Sequence, residues 1–283
     1  MNPYYQTVLE QTGMTQLKTL VKKWQTLSES ITSKPSNLPI LLPDLFLVSH
    51  SGSGRTLLVR LLADYLSYNE KLMDFYGDVK YFEFLLNYCA PNEHFTEIQR
   101  LMTEVRNAAG FRNEFKGIIF IDIDEWVGHC EEKHFIDFLE YLSDNSDTWL
   151  VILSVSAQDD HRIDAMLSVV SSYLRIEAIT IDKPTVTELS TYLFDTITAY
   201  GFRLDPNAKS LLTASVDELS QNTHFDGYKT VKRFAQDILY SVYSNGKEGQ
   251  LLLTDKDLLD FAYNGNYISR MKQKIAPVKK IGF

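Results

Sequence analysis

The stretch Leu45–Leu58, LFLVSHSGSGRTLL, constrains the fold more than any other part of the sequence. Its apolar start predicts a buried strand, SHSGSG predicts a tight loop, and the residues from Arg55 onward predict a helix. Glycines allow such a loop to turn its backbone N–H groups, with the helix N-terminus, toward a phosphate. The sequence therefore predicts a phosphate-binding loop. The alternative is a strand–turn–helix joint that uses Gly and Ser only for its turn.

The loop departs at two positions from the usual phosphate-loop pattern, G-x-x-x-x-G-K-[ST]. Ser49 stands where the first Gly is expected and Arg55 where the Lys is expected, whereas Gly54 and Thr56 fit. Arginine keeps the positive charge but replaces a compact ammonium with a broad planar group. The candidate phosphate-binding residues are Ser51, Gly52, Ser53, Gly54, Arg55 and Thr56.

A second constraint is Gly117–Ile121, a wholly apolar run followed by the acids Asp122, Asp124 and Glu125. Wholly apolar strands are typical of parallel sheets buried on both faces, in which ligands bind at the carboxyl ends of the strands. The acids are therefore expected where the loop also points. There, one carboxylate orients the water shell of Mg²⁺ and another polarises the attacking water. The alternative is a strand that simply ends in solvated acids.

Composition narrows the class of protein. The chain has 283 residues, of which 45% are hydrophobic and 12% aromatic, which is typical of a globular protein of one or two domains. No apolar run approaches the ~18 residues of a membrane span, and the start lacks the build of a signal peptide, so a cytoplasmic protein with free cysteines is expected. The net charge of −9 makes nucleic acid an unlikely partner.

The order of predicted elements divides the chain into three parts. The first part, residues 1–38, is predicted to be a helical lead-in, with a linker at 29–39. The second part, residues 39–182, is predicted to alternate strands and helices. The third part, residues 183–283, is predicted to be helical and to end in a basic C-terminal tail. The other predicted strands are Leu72–Tyr76, Trp149–Ser156 and Ile176–Ile181. The other predicted helices are Val79–Tyr88, Glu97–Ala109, Trp126–Leu142, Glu188–Tyr200, Asn207–Leu219, Gly227–Tyr243 and Leu253–Phe261.

This order of motifs over roughly residues 40–245 resembles the AAA+ ATPase superfamily. The resemblance implies an α/β fold with a parallel-sheet P-loop NTPase core followed by a small all-helical lid. It also implies ATP and Mg²⁺ as cofactors, with Thr56 and Asp122 at the metal.

The resemblance implies further roles for single residues. In IIFIDIDEW, Ile123 occupies the family's Glu position, so that either Glu125 or Asp124 is the catalytic carboxylate. Strand alternation predicts that Asp122 and Asp124 lie on the same side. A polar residue at the end of the next strand, Ser154 or Ser156, senses the γ-phosphate.

Arg175 stands where many family members carry an arginine finger, which reaches the nucleotide of a neighbouring subunit. The alternative is an ordinary surface arginine beside a strand. In the predicted lid helix, Thr230 replaces the usual sensor arginine, which leaves Lys229 or Lys232 to substitute. A zinc site at His129, Cys130 and His134 is disfavoured, because adjacent residues cannot both chelate easily and no fourth ligand is identified.

The first functional hypothesis is a Mg²⁺-dependent ATP-binding protein that hydrolyses slowly and acts through core–lid motion or assembly, as a homo-oligomer or with a partner protein. The departures at Arg55 and Ile123 favour the alternative, a hydrolysis-deficient nucleotide-gated interaction module. A third hypothesis is a DNA-associated loader or initiator ATPase.

Overall fold

The computed structural model describes residues 2–11, 13–31, 42–73, 75, 79–112, 114–146, 148–157, 159–222, 225–245 and 252–274. The chain divides into two compact units. The first comprises Met1–His50 and Arg55–Asp182, and the second comprises Ser51–Gly54 and Lys183–Phe283. Among the described residues, no helix is both long and apolar enough to cross a membrane.

The first unit contains a five-stranded parallel sheet of strand order β2-β3-β4-β1-β5. The strands are β1 (Asp44–Ser49), β2 (Tyr81–Leu85), β3 (Gly117–Asp122), β4 (Trp149–Ser156) and β5 (Ile176–Ile181). The three central strands β3, β4 and β1 are buried almost throughout, as their largely apolar sequences predict.

Helices cover both faces of this sheet. One face packs against α1 (Pro3–Leu9), α2 (Thr15–Ser30) and α3 (Arg55–Ser67). The opposite face packs against α4 (Glu97–Ala109), α5 (Lys133–Asp144) and α6 (Asp160–Ser171). Alternate strand residues supply the two cores: Leu45 and Leu47 face the first set of helices, whereas Phe46 faces the second. This is a doubly wound α/β arrangement, and it places the carboxyl ends of the strands along one edge.

The second unit is helical around its own core. Its helices are α7 (Val186–Ala199), α8 (Pro206–Ser220), α9 (Gly227–Ser244) and α10 (Asn266–Lys274), and a two-residue strand β6 (Arg203–Leu204) pairs with β7 (Leu252–Leu253). A capping box of Thr185 with Glu188 begins α7, and the Asp205 side chain accepts the Ala208 amide at the start of α8.

Several predicted elements are wrong. Val79–Tyr88 is not a helix, because Tyr81–Leu85 forms the edge strand β2, which pairs with β3. Leu72 and Met73 of the predicted strand Leu72–Tyr76 are not in a strand, and residues 74 and 76 lie outside the described residues.

Other predicted elements have shifted boundaries. The helix predicted from Trp126 begins at Lys133, because residues 124–126 form a 3₁₀ turn. The helix predicted over Leu253–Phe261 is β7 followed by a 3₁₀ helix, and α10 was not predicted. The lead-in is two helices broken near Gly13 and Met14, which have positive φ. Most of the predicted linker, residues 32–39, and the basic tail beyond residue 274 lie outside the described residues.

Asp44 at the start of β1 is a buried acid whose protonation is coupled to folding. Burial raises its pKa to about 7 from an ordinary 3.8, although a hydrogen bond from the Val151 amide and the charge of Arg175 oppose the shift. The folded chain therefore binds a proton that the unfolded chain releases. Consequently, this group contributes stability that is present below about pH 4 and is lost as the pH rises to about 7.

Asp44→Asn is expected to remove this pH dependence, because asparagine keeps an acceptor for the Val151 amide without titrating. The free energy of unfolding of the wild type should fall by up to about 1.4 kcal/mol per pH unit between pH 4 and 7 relative to the variant. Urea unfolding at several pH values measures this difference. Asp144→Asn, the same charge change at an exposed position, is the control. Parallel pH profiles for the wild type and Asp44→Asn would contradict the assignment.

Candidate functional site

The loop after β1 has the backbone of a tight glycine turn. Gly52 has φ of +71° and Gly54 has φ of +94°, a region that side chains with a Cβ rarely adopt. Ser53 lies between them and is 2% exposed. Its hydroxyl has no hydrogen-bond partner among the described residues. A buried hydroxyl without a partner is unfavourable, and a phosphate oxygen would satisfy it, so this part of the loop fits a nucleotide phosphate.

Within the second unit, the loop segment Ser51–Gly54 packs against the start of α9. The Ser51 hydroxyl donates to Asp226 Oδ1 at 2.6 Å, and the Tyr228 amide donates to the Gly52 carbonyl at 3.0 Å. A Cβ on Gly52 would lie 2.2 Å from the Asp226 carbonyl carbon, and one on Gly227 would lie 2.3 Å from the Gly52 oxygen. Both glycines are therefore required for this close backbone approach.

Within the first unit, Arg55 at the start of α3 joins the ends of β3 and β4. Its Nη2 lies 3.0 Å from Asp122 Oδ2 and its Nη1 lies 3.0 Å from Ser154 Oγ. Asp122 and Ser154 are direct neighbours in the sheet register, so the two ends of the guanidinium bind two adjacent strands. The group also lies over Phe120, 5.5 Å from the ring centroid. The structure therefore brings the loop cation, the first acid and the first candidate sensor together.

The two acids after Asp122 are held by separate contacts. Asp124 accepts the Ser156 hydroxyl at 2.5 Å and also its amide, and Glu125 accepts the Tyr88 amide at 2.8 Å. The predicted alternation of Asp122 and Asp124 along one strand is wrong, because β3 ends at Asp122 and Asp124 begins a 3₁₀ turn. Asp124 thus accepts hydrogen bonds through both of its oxygens, whereas Glu125 accepts through Oε2.

Asp122, the acid predicted at the magnesium site, has a hydrogen-bond partner on each of its two carboxylate oxygens. One oxygen, Oδ2, binds Arg55, and the other, Oδ1, accepts the Asp124 amide at 3.0 Å. Because Mg–O distances are about 2.1 Å, a Mg²⁺ ion on Oδ2 would lie within about 5 Å of Nη2. The guanidinium already holds Oδ2, so Asp122 does not fit Mg²⁺ as a direct ligand while Arg55 stays in place.

Arg175 lies far from these groups along its own sheet. It directly precedes β5, its carbonyl accepts the Asp44 amide at 2.9 Å, and its side chain is exposed. It therefore lies at the amino edge of the parallel strands, whereas Asp122 and Ser154 lie at the carboxyl edge. An action of Arg175 on a nucleotide would involve another subunit, which stays a prediction.

The remaining candidates have ordinary structural contacts. Thr230 is buried and its hydroxyl accepts the Asp226 amide, while Lys229 lies 3.3 Å from Asp226 Oδ2. His129 Nδ1 lies 2.6 Å from Glu132, and His134 stacks on Phe95. Across the described part of the chain, no group of three or more His, Cys, Asp or Glu side chains is arranged to hold a metal ion.

Sequence reasoning missed two features of this site. Asp226 and Gly227 contact the loop segment, and the only signal in the sequence is an Asp-Gly pair before a helix. The Tyr88 amide holds Glu125, and no pattern in the sequence indicates a contact made by a backbone amide of a loop.

The sheet order, the loop between β1 and α3 and the acids that end β3 together define the AAA+ P-loop ATPase fold, followed by a helical unit. The structure is similar to RuvB from Thermotoga maritima, described as a Holliday junction branch migration motor. The two share 13% identity and a TM-score of 0.51, over 90% of this chain and 73% of that chain. A mutant form of the same RuvB gives a TM-score of 0.53 at 12% identity, over 89% and 69% of the two chains.

At these identities the likeness establishes the fold alone. The sequence matches no protein-family model and no curated protein.

Proposed function

We propose that this protein binds ATP and ADP through the loop Ser51–Gly54 with Arg55 and Thr56, and that it hydrolyses ATP slowly. The contact that supports this most is the pairing of Arg55 with Asp122 and Ser154, which brings together three predicted parts of one site. The Ser53 hydroxyl, which has no hydrogen-bond partner among the described residues, is a second, independent support, because a phosphate oxygen would satisfy it.

Slow turnover is proposed because both candidate water-activating carboxylates already accept hydrogen bonds. A general base has to accept a proton from the attacking water. Asp124 is engaged by Ser156, and Glu125 by the Tyr88 amide. The resemblance to AAA+ proteins also implies a Mg²⁺ ion on Thr56 and Asp122, but direct ligation by Asp122 Oδ2 requires that the guanidinium leave this oxygen.

Two measurements on the purified protein test the proposal. Calorimetric titration measures ATP binding, and the rate of phosphate release is then measured on the same sample at several protein concentrations. We expect binding with turnover far below the 1–10³ s⁻¹ that is typical of enzymes. If turnover occurs, the variants Glu125→Gln and Asp124→Asn identify the general base. The variant that removes the base should bind ATP normally but no longer hydrolyse it. Absence of binding would overturn the proposal.

The alternative is a hydrolysis-deficient module in which nucleotide controls assembly. The same engaged carboxylates and the arginine at the lysine position favour it. If the exposed Arg175 is an arginine finger, it would act on the nucleotide of a neighbouring subunit. Turnover per subunit that rises with protein concentration would therefore favour an assembling ATPase, and binding without turnover at any concentration would favour the module.

A DNA-associated role remains a further candidate. The net charge of −9 disfavours nucleic acid, but it describes the whole chain and does not exclude a local basic surface. The structurally similar RuvB is described as a branch migration motor. Binding to duplex and four-way-junction DNA at low salt, with the steep salt dependence of phosphate contacts, would support this role.

A further inference from the structure

The contacts of Arg55 differ from what a metal-dependent phosphate site requires. Its guanidinium is fixed by two hydrogen bonds of 3.0 Å, to Asp122 Oδ2 and to Ser154 Oγ. Ser154 is fully buried, and its carbonyl also accepts the Ile123 amide at 3.0 Å, so the acceptor is itself held firmly. The positive charge therefore has a defined position at the carboxyl edge of the sheet.

The same contacts occupy the acid that the resemblance assigns to the metal. Asp122 binds the guanidinium through one oxygen and the Asp124 amide through the other. A divalent cation that ligates Oδ2 directly would have to displace a positively charged group that has a second, buried acceptor in Ser154. A lysine at this position would carry a compact ammonium, which cannot bind both acceptors with the same planar geometry.

We propose that the Arg55 guanidinium takes the place of the divalent cation, so that the protein binds ATP and ADP without a metal ion. This inference rests on the proposed function. A guanidinium has five N–H groups, of which two are used by Asp122 and Ser154. The described residues provide no further partner, and the side chain is 30% exposed. Three N–H groups thus remain for phosphate oxygens, which planar guanidinium groups bind in pairs.

The effect of Mg²⁺ on the affinity for ATP distinguishes this site from a metal-dependent one. Mg²⁺ in solution complexes the phosphates of ATP and so competes with the guanidinium for the same oxygens. The affinity of the wild type for ATP should therefore be equal or lower in Mg²⁺ than in EDTA. In a metal-dependent site, Mg²⁺ would instead bridge the phosphates to the protein and raise the affinity.

Calorimetric titration of ATP into the full-length protein, once in EDTA and once in excess Mg²⁺, tests the proposal. A change of less than threefold, or weaker binding in Mg²⁺, is the expected result. A gain of threefold or more on adding Mg²⁺ would overturn the inference while leaving the proposed nucleotide binding intact. Absence of binding in both buffers would reject the proposed function and this inference with it.

Arg55→Lys tests whether the guanidinium itself excludes the metal. Because the ammonium vacates at least one of the two acceptors, the variant should gain affinity at least threefold on adding Mg²⁺. Arg60→Lys is the matched control, since Arg60 is an exposed arginine on the same helix α3, and it should behave as the wild type. If Arg55→Lys shows no such gain, the role of Arg55 is overturned. Circular dichroism of each variant establishes that it is folded.

Discussion

Arg55→Ala is expected to weaken the binding of ATP about 100-fold. The variant loses the only side-chain cation that the structure places beside Asp122 and Ser154 within its described residues. Hydrogen bonds to charged groups contribute about 1.5–3 kcal/mol each, and 2.7 kcal/mol corresponds to a factor of about 100. This full loss is expected in EDTA, and the loss in Mg²⁺ should be smaller, because removal of the guanidinium also frees Asp122 for a metal ion. Calorimetric titration measures both values.

The control for this prediction is Arg60→Ala, which makes the same change at an exposed position of the same helix. The affinity of this variant for ATP should stay within twofold of that of the wild type. The comparison distinguishes the loss of a positive charge anywhere on helix α3 from the loss of the guanidinium that binds Asp122. An Arg55→Ala variant that binds ATP as tightly as the wild type would contradict the phosphate-binding role of the loop. Thermal melting without nucleotide shows whether the variant is folded.

The central strands of the sheet were predictable because their signal is local. Apolar runs mark strands buried on both faces, and the predicted strand Trp149–Ser156 matches the central strand β4. The predicted strand Ile176–Ile181 matches β5, which lies at an edge and is only partly buried. The edge strand β2 was not predictable in this way. Its apolar residues, Tyr81, Phe82, Phe84 and Leu85, are spaced as on one face of a helix. Only their pairing with β3, far along the chain, makes them a strand.

The candidate site shows the same division between local and distant information. The sequence placed the loop and the acids at one edge of a parallel sheet, because strand order and apolar character determine that edge. It did not indicate that Arg55 binds both Asp122 and Ser154, because this depends on the register of β3 against β4. Similarly, the sequence did not indicate the contact of Asp124 with Ser156, because β3 ends at Asp122, two residues before the acid that simple alternation keeps in the strand.

Trp126→Ala is expected to lower the free energy of unfolding of the α/β unit by about 3–5 kcal/mol. The side chain follows the acids directly, is fully buried and stacks on Phe135 with ring centroids 5.5 Å apart. Its indole N–H donates to the Asn87 carbonyl at 3.2 Å. Truncation leaves a large cavity and an unpaired carbonyl, and both destabilise the folded state.

The tryptophan also links stability to the acids, because Asn87 is followed by Tyr88, whose amide holds Glu125. Trp126→Phe should lower the free energy of unfolding less than Trp126→Ala does, because a phenyl ring still fills much of the space of the indole. Phe111→Ala, at a fully exposed aromatic of the same unit, should change it by less than about 0.5 kcal/mol. Urea unfolding followed by the fluorescence of Trp24 and Trp149, which both lie in this unit, measures all three variants. If Trp126→Ala lowered the free energy of unfolding by less than about 1 kcal/mol, the packing of the buried indole and its hydrogen bond to Asn87 would not stabilise this unit as expected.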